Sequence, residues 1–366
     1  MKVVIINSAG FWSMGWATDP QSQQDVIRSL ERANVEVEVF EVASKAQLED
    51  ALESLKGTPC LIWPNAYQVW EEVEGADTVW VADVIDAHGM AMIGSNATAL
   101  KNVLLKSHCQ QLLESHNVTI PSFAIIDETM LDDLTYILEV RQLSFPLFIK
   151  PNNLSTSKGI TQANVIHDVA TLRARIKNLG DEHGYPVMLE EYLPGQDITV
   201  SVFMTPDKPV ILATYYDTKI YDDPGAVIDY DIRQRDWNDG KWLRVVTEPE
   251  RLEQIAKVVI PACTAVGITE FTRIDCRLDS KGQLKAFDVN GLPGLELPFS
   301  TTVWQMIVKM QEYPQEHAFD TLISMIVYCS AHRHKRKVPA RINALAQAYI
   351  RNEMANEGAE GELLSA

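Results

Sequence analysis

FTRIDCRLDSKGQLKAFDVN, residues 271–290, holds two alternating apolar and polar runs about the turn Asp279-Ser280-Lys281-Gly282. This is a hairpin signature, because period-two alternation sends every second side chain to one face of a strand. Arg273 and Asp275 therefore share a face of the first strand, and Asp288 and Asn290 share a face of the second. Whether the two pairs meet depends on register. A two-residue loop sets Arg273 opposite Asp288, and a four-residue loop shifted by one sets Asp275 opposite Asp288. A three-residue loop turns Asp288 away. If the pairs meet, two carboxylates and an amide oxygen form a hard-oxygen site suited to Mg²⁺, which takes a few carboxylates plus substrate phosphates. An arginine beside such a site would neutralise charge on a transferring phosphoryl group or a tetrahedral intermediate. The competing reading is a solvated hairpin face with ordinary ion pairs. A calcium loop is excluded, because Lys281 stands where an EF-hand needs a second oxygen ligand.

A second stretch, FIKPNNLSTSKGI at residues 148–160, places Lys150 at the end of an apolar strand and Lys158 in the Asn, Ser, Thr and Gly tract beyond it. Backbone N–H groups of such a loop can cradle phosphates, with lysines supplying charge and Mg²⁺ bridging from the other side. The chain has no G-x-x-x-x-G-K-[ST], so this is not a P-loop. Read alone, the tract is also compatible with a solvated turn.

Outward from these stretches, the first hundred residues alternate strand and helix. KVVIIN, VEVEVFEV and CLIWP read as strands. The segment opening at Asp19-Pro20, with Val26, Ile27, Leu30 and Ala33 on one face, reads as a helix, as do SKAQLEDALESLKG and VWVADVIDAHG. Alternating units of this length imply a parallel sheet with helices on its faces. No G-x-G-x-x-G follows the first strand, which removes the main support for dinucleotide binding; Gly10 and Gly15 could instead line a small-molecule pocket. Residues 99–116 read as one helix leading into FAII. Beyond it, PLFIKP, VMLEEYL, DITVSVFM, VILATYYD, FTRIDCRL and LKAFDVN are strands, with helices near 167–178, 250–266 and 302–330. Strands joined by turns point to antiparallel pairing, hence an α+β body after the α/β one. The small, acidic stretch ending ANEGAEGELLSA is expected to fray.

With 366 residues the chain divides naturally into two or three domains. Its formal charge of −18 argues against nucleic acid as a partner, since phosphate neutralisation supplies most of that affinity. Five scattered cysteines without a C-x-x-C spacing support neither a disulfide framework nor a zinc site. No apolar run reaches the length of a membrane span, and MKVVIINSAG turns polar too soon for a signal peptide, so a cytoplasmic protein is expected. HRHKRK at 332–337 reads as a solvated helix surface, or as a docking patch for an acidic partner.

The order of these pieces resembles the ATP-grasp superfamily, most closely the D-alanine–D-alanine ligases, over roughly residues 60–300. FIKPNNLSTSKGI is similar to that family's strand, lysine and serine-rich flap, and MLEEYLPGQDITVSVF to its hinge strand. TRIDCRLDSKGQLKAFDVNGLPGLE is similar to its metal hairpin and Pro-Gly turn, and LKNVLLKSHCQQLLESHNVTIPSF to its lysine-bearing central helix. The resemblance implies an ATP-grasp architecture: an N-terminal parallel α/β domain (1–100), a small central subdomain (101–185), a C-terminal antiparallel subdomain (186–330) and a helical, acidic tail (331–366). It implies ATP with two Mg²⁺ ions, or Mn²⁺ in their place. Lys106 and Lys150 would contact the phosphates, with Thr156 and Ser157 in the flap over them and Ser157 among the catalytic groups. Glu190 would face the adenine amino group with Glu191 beside it, and Asp197 the ribose, where the family more often has Glu. Asp275, Asp288 (in place of a usual Glu) and Asn290 would hold the metal. Arg273 and the backbone of Gly294 would form the oxyanion hole, and Lys219 would reach the γ-phosphate.

The implied chemistry joins an amine to a carboxylate or carbonyl acceptor through a phosphorylated intermediate, with small-molecule partners, no nucleic acid or membrane, and a homodimeric state. Both ends of the D-alanine pocket look altered. The family's first-strand loop carries a glutamate for the first substrate's ammonium group, whereas NSAGFWSMGWATDPQSQQD has no acidic residue before Asp19. Phe299 stands where the ligases tend to have a serine for the second substrate's carboxylate, with Ser300 adjacent. Trp12, Trp16 and Trp70 could line a larger acceptor site. The expected activity is specialised ligation of the dipeptide, amide or mycosporine type. A D-alanine–D-alanine ligase and a nucleotide-binding module without turnover are the alternatives.

Overall fold

The computed structural model describes residues 1–9, 23–69, 78–154, 157–217, 226–233, 242–297 and 300–363. The expectations for Gly10, Trp12, Gly15, Trp16, Asp19-Pro20, Trp70, Thr156, Lys219 and Phe299 lie outside these residues.

Near the N-terminus, Lys2–Ser8 lies between Glu36–Val42 and Cys60–Pro64, parallel to both. Val3 and Ile5 pack with Val26 and Leu30 of the helix Gln23–Arg32, while Val4 and Ile6 pack with Leu48 and Leu52 of Lys45–Ser54. Helices on both faces explain why KVVIIN is continuously apolar rather than alternating. The helix read from VWVADVIDAHG begins at Val81, because Val79–Trp80 pairs with Gln68–Val69 as a short strand.

Residues 99–116 are not one helix. They belong to Ala97–Leu104 and Lys106–Ser115, separated by Leu105 in an extended conformation. The cause is tertiary. Asn152 accepts the Lys106 N–H on its carbonyl at 3.2 Å and the Ser107 N–H on its side chain at 2.8 Å. Two otherwise orphaned N-terminal donors are thereby satisfied from a distant loop, which favours starting a new helix there.

Two antiparallel sheets follow. The first has the order Phe123–Ile126, Val187–Glu191, Leu147–Pro151, Val165–Ile166. Leu147, Ile149, Val187 and Leu189 pack under Leu172 and Ile176 of the helix Val169–His183. By alternation, Phe148, Lys150, Met188 and Glu190 face the opposite way. The second sheet has the order Leu243–Val245, Pro209–Tyr216, Asp197–Met204, Phe271–Leu278, Leu284–Asn290. One face buries Ile198, Val200, Ile274, Ala286 and Val289 against Ile255, Val259 and Ala262 of Pro249–Val266. On the other, Phe203 and Phe271 stack at 5.0 Å within the core that includes Thr301–Lys309 and Gln315–Arg333. The same face ends in the cross-strand pairs Ser201 with Arg273 and Thr199 with Asp275.

The tail expected to fray is a helix, Ala340–Leu363, consistent with its many alanine and glutamate residues. Among the described residues no helix is long and apolar enough to cross a membrane.

Glu270 links the N-terminal layer to the C-terminal helices. Its carboxylate accepts the Gly94 N–H at 2.6 Å and lies 2.6 Å from Arg333 Nε, while Arg333 donates to the carbonyls of Met92 and Gly94. Burial outweighs the neighbouring guanidinium and pushes the carboxyl up to about 7. Since the native state then binds a proton that the unfolded chain has released, stability falls as pH rises from about 4.5 to about 7. Glu270→Gln is expected to remove a decline of about 2–3 kcal/mol over that interval, read from urea unfolding midpoints across the pH range. An unchanged slope in the variant would contradict this assignment.

Candidate active site

The hairpin reaches its working register by a route that loop length does not give. Leu278 pairs with Leu284, Arg277 with Lys285 and Cys276 with Ala286, leaving five residues, 279–283, in the loop. Continued regularly, that ladder would set Asp288 opposite Ile274, on the wrong face. Phe287 is instead a β-bulge. Beyond it the pairs are Asp275 with Asp288, Ile274 with Val289 and Arg273 with Asn290, so the four polar side chains share one face. Apolar residues at 284, 286 and 289, rather than 288, are the trace of this bulge in the sequence.

The bulge leaves the Phe287 carbonyl out of the strand ladder, where it accepts Lys150 Nζ at 3.1 Å and Gln110 Nε2 at 3.0 Å. Lys150 also lies 5.5 Å over the Phe287 ring and 2.9 Å from Glu190. Both charged groups are about 97% buried. Burial outweighs Lys150 and raises the Glu190 carboxyl above its ordinary value.

These groups line one cleft of about 400 Å³, together with Lys106, Ser157, Lys158, Glu191, Asp197, Gly294 and Ser300. Lys106, at the start of its helix, reaches Asp288 at 2.9 Å. Arg273 forks onto both oxygens of Asp275 at 3.0 Å, Thr199 donates to the same carboxylate at 2.7 Å, and the Asn290 amide approaches it at 3.4 Å. Burial works against the Arg273 charge, yet the Asp275 carboxylate holds its pKa above the ordinary value. Asp197 lies 3.6 Å from Arg277, and Glu191 is held by Lys285 at 2.7 Å. Ser157, at φ 58°, donates its hydroxyl to the Ile228 carbonyl at 3.3 Å. The Ser300 hydroxyl donates to the Gly294 carbonyl and caps the helix Thr301–Lys309 by accepting the Val303 N–H at 3.3 Å.

Sequence reading missed four supports of this cleft. Thr199 braces Asp275, Asn152 starts the helix of Lys106, and Lys285 holds Glu191. Arg277 donates to the Gly195 carbonyl at 2.8 Å and the Ala226 carbonyl at 2.7 Å while facing Asp197. Thr199 and Arg277 sit on cleft-facing positions of recognised strands, so alternation could have named them. Asn152 and Lys285 act across elements far apart in sequence.

The residues fit a magnesium nucleotide. Glu190 Oε1 is buried with no hydrogen-bond partner among the described residues, as a site for an amino donor would be. Among the described residues no three His, Cys, Asp or Glu side chains converge, so the oxygen set is two carboxylates and an amide. Such a set is incomplete for Mg²⁺ without substrate phosphates and water.

Comparison with known proteins agrees with the fold. A family model described as the D-ala D-ala ligase C-terminus matches residues 112–324. A D-alanine–D-alanine ligase of Mannheimia succiniciproducens is 25% identical over 234 residues, covering 63% of this chain and 71% of the relative. One from Synechococcus sp. (strain JA-2-3B'a(2-13)) is 25% identical over 284 residues, covering 73% and 82%. Among solved structures, the D-alanine–D-alanine ligase from Bacillus anthracis complexed with ATP superposes with a TM-score of 0.65 at 17% identity, covering 92% of this chain and 99% of that one. The VanG D-Ala:D-Ser ligase from Enterococcus faecalis gives 0.60 at 16%, covering 89% and 99%.

Removing one partner of a buried ion pair strands the other charge. Lys150→Met is therefore expected to destabilise the fold by about 3–5 kcal/mol in denaturant unfolding. Lys150→Met combined with Glu190→Gln should recover part of that loss. Equal losses in the single and double variants would show that packing, not the stranded carboxylate, sets the cost.

Proposed function

The chain belongs to the D-alanine–D-alanine ligase family and is an ATP-dependent carbon–nitrogen ligase, and from that premise we propose that its cleft joins a small carboxylate to an amine through an acylphosphate. The observation that carries this reading is the convergence of Lys150–Glu190, Lys106–Asp288 and Arg273–Asp275 in one cleft. Three cation–carboxylate pairs side by side are suited to exchange partners when phosphates arrive.

In the first step a carboxylate oxygen of the acceptor attacks the γ-phosphorus of ATP, and the bond to the β-phosphate oxygen breaks with ADP leaving. Lys106 and Lys150 would bind the phosphates, Glu190 the adenine amino group and Asp197 the ribose. Asp275, Asp288 and Asn290 would hold Mg²⁺, which neutralises charge on the phosphate oxygens when bound. In the second step the amine nitrogen attacks the acyl carbon, the carbon–oxygen bond to phosphate breaks, and phosphate leaves while the nitrogen loses its proton. Arg273 and the Gly294 backbone would hold the developing oxyanion. Ser157 and the loop around it would exclude the water that hydrolyses acylphosphates. Pure nucleotide binding needs no oxyanion donor, which counts against a module without turnover.

We further propose an acceptor other than D-alanine. At the carboxyl ends of the parallel strands, where such sheets bind ligands, the described residues form an amide cluster. Asn7 and Gln23 exchange hydrogen bonds at 2.8 and 2.6 Å, and Asn65 donates to Asn7 at 2.9 Å. Asn65 and Trp63 line the cleft. Neutral amides suit a carbonyl or hydroxyl group better than an ammonium group. The competing reading, ligation of two D-alanines, is favoured by the names of both curated relatives above.

Phosphate release from Mg·ATP, measured with D-alanine, D-serine, the L-amino acids and pooled cell extract, separates these readings. Turnover requiring both an extract component and an amino acid is expected; turnover with D-alanine alone would establish the cell-wall reading instead. Arg273→Met should lower the rate by about 100- to 1,000-fold. ATP binding without release under any condition would overturn the ligase mechanism.

A further inference from the structure

Glu296 lines the same cleft and has no part in the chemistry above. Its backbone is fixed from both sides: Leu295 is buried in the core, and the Glu296 carbonyl accepts the Ser300 N–H at 2.8 Å at the start of the helix Thr301–Lys309. The side chain folds back over Gly294. A β-carbon built on Gly294 would stand 3.3 Å from Glu296 Oε1 and closer still to Oε2. A half-buried carboxylate therefore lies against the residue whose backbone would hold the acyl oxygen.

Charge sign decides which substrate group this end of the cleft can take. The acceptor carboxylate and the phosphates are anionic, and a fixed carboxylate repels them. The second substrate arrives largely as an ammonium ion, for which the same carboxylate is a partner. Attack requires a neutral nitrogen within about 3–3.5 Å of the acyl carbon, so the ammonium group must wait beside Gly294 and pass one proton to the Glu296 carboxylate before its lone pair can attack.

We propose that Glu296 binds the ammonium group of the incoming amine and so determines which nucleophile the acylphosphate meets. The inference rests on the acylphosphate mechanism and names the amine-binding residue of that same site. Glu296 differs from Arg273 and Gly294 in acting on the nucleophile rather than on the acyl oxygen.

A competition between nucleophiles tests it. Hydroxylamine is neutral at neutral pH, needs no ammonium site and captures acylphosphates as hydroxamates. The full-length chain is given Mg·ATP, hydroxylamine, ethylamine as the competing cationic amine, and D-alanine, D-serine, the L-amino acids and pooled cell extract as sources of the carboxylate. The readout is the ratio of ethylamide to hydroxamate. Both products come from one intermediate, so a general loss of folding or of ATP binding cancels in the ratio. Glu296→Gln is expected to lower the ratio at least about tenfold, the scale of one charge-assisted hydrogen bond. Glu296→Asp, which keeps the charge, should retain most of it. A Glu296→Gln ratio within about twofold of the unmodified chain, on a scale where tenfold is one such bond, would overturn the proposal. So would hydroxamate formation with no ethylamide from the unmodified chain. Absence of hydroxamate with every carboxylate, with Arg273→Met equally silent, would instead remove the acylphosphate mechanism on which the proposal stands.

Discussion

The carbonyl oxygen of Phe287 joins the two antiparallel sheets. Because Phe287 is a bulge, its carbonyl is left out of the strand ladder and accepts Lys150 from one sheet and Gln110 from the helix that carries Lys106. The same bulge rotates Asp288 and Asn290 onto the face of Asp275. One inserted residue thus sets both the face shared by Asp275, Asp288 and Asn290 and the position of Lys150. Bulges next to active sites are a common way of re-aiming a side chain, and here the released acceptor has a use of its own.

The electrostatics of the cleft follow from that geometry. Lys150 and Glu190 are about 97% buried, and taking two such charges out of water costs more than a hydrophobic pair would. A fold built for stability alone gains little from them. Here the cost is offset by the Phe287 carbonyl and ring, and the result is a preorganised cation beside an acceptor that lacks a donor among the described residues. Arg273–Asp275 and Lys106–Asp288 follow the same design with more solvent access. Each pair neutralises itself, so a chain of net charge −18 holds three cations in one cleft without a large field of one sign.

The two ends of the cleft are built on different principles. At the parallel sheet the polar groups are the amides of Asn7, Gln23 and Asn65, which satisfy one another. Beyond the Pro-Gly turn a carboxylate is fixed over Gly294. Relatives identical to this chain at about a quarter of the aligned residues bear the D-alanine–D-alanine ligase name. Identity at that level leaves room for the groups at either end of the cleft to differ.

The sequence alone determined the layer order, the hairpin and the face shared by Arg273 and Asp275, because all three depend on alternation and turn chemistry within a few residues. Lys106 and Lys150 are named by resemblance to a known motif, and the fold brings both to the one cleft. Only the tertiary structure decided the register at Asp288, the break at Leu105 and the bracing by Thr199, Asn152 and Arg277. In each of these the partner lies on another element: Asn152 caps a helix from a different sheet, and the Phe287 carbonyl has meaning only once Lys150 reaches it. Local pattern fixes which way a side chain points along its own strand; what it meets there is set by packing between elements far apart in the chain.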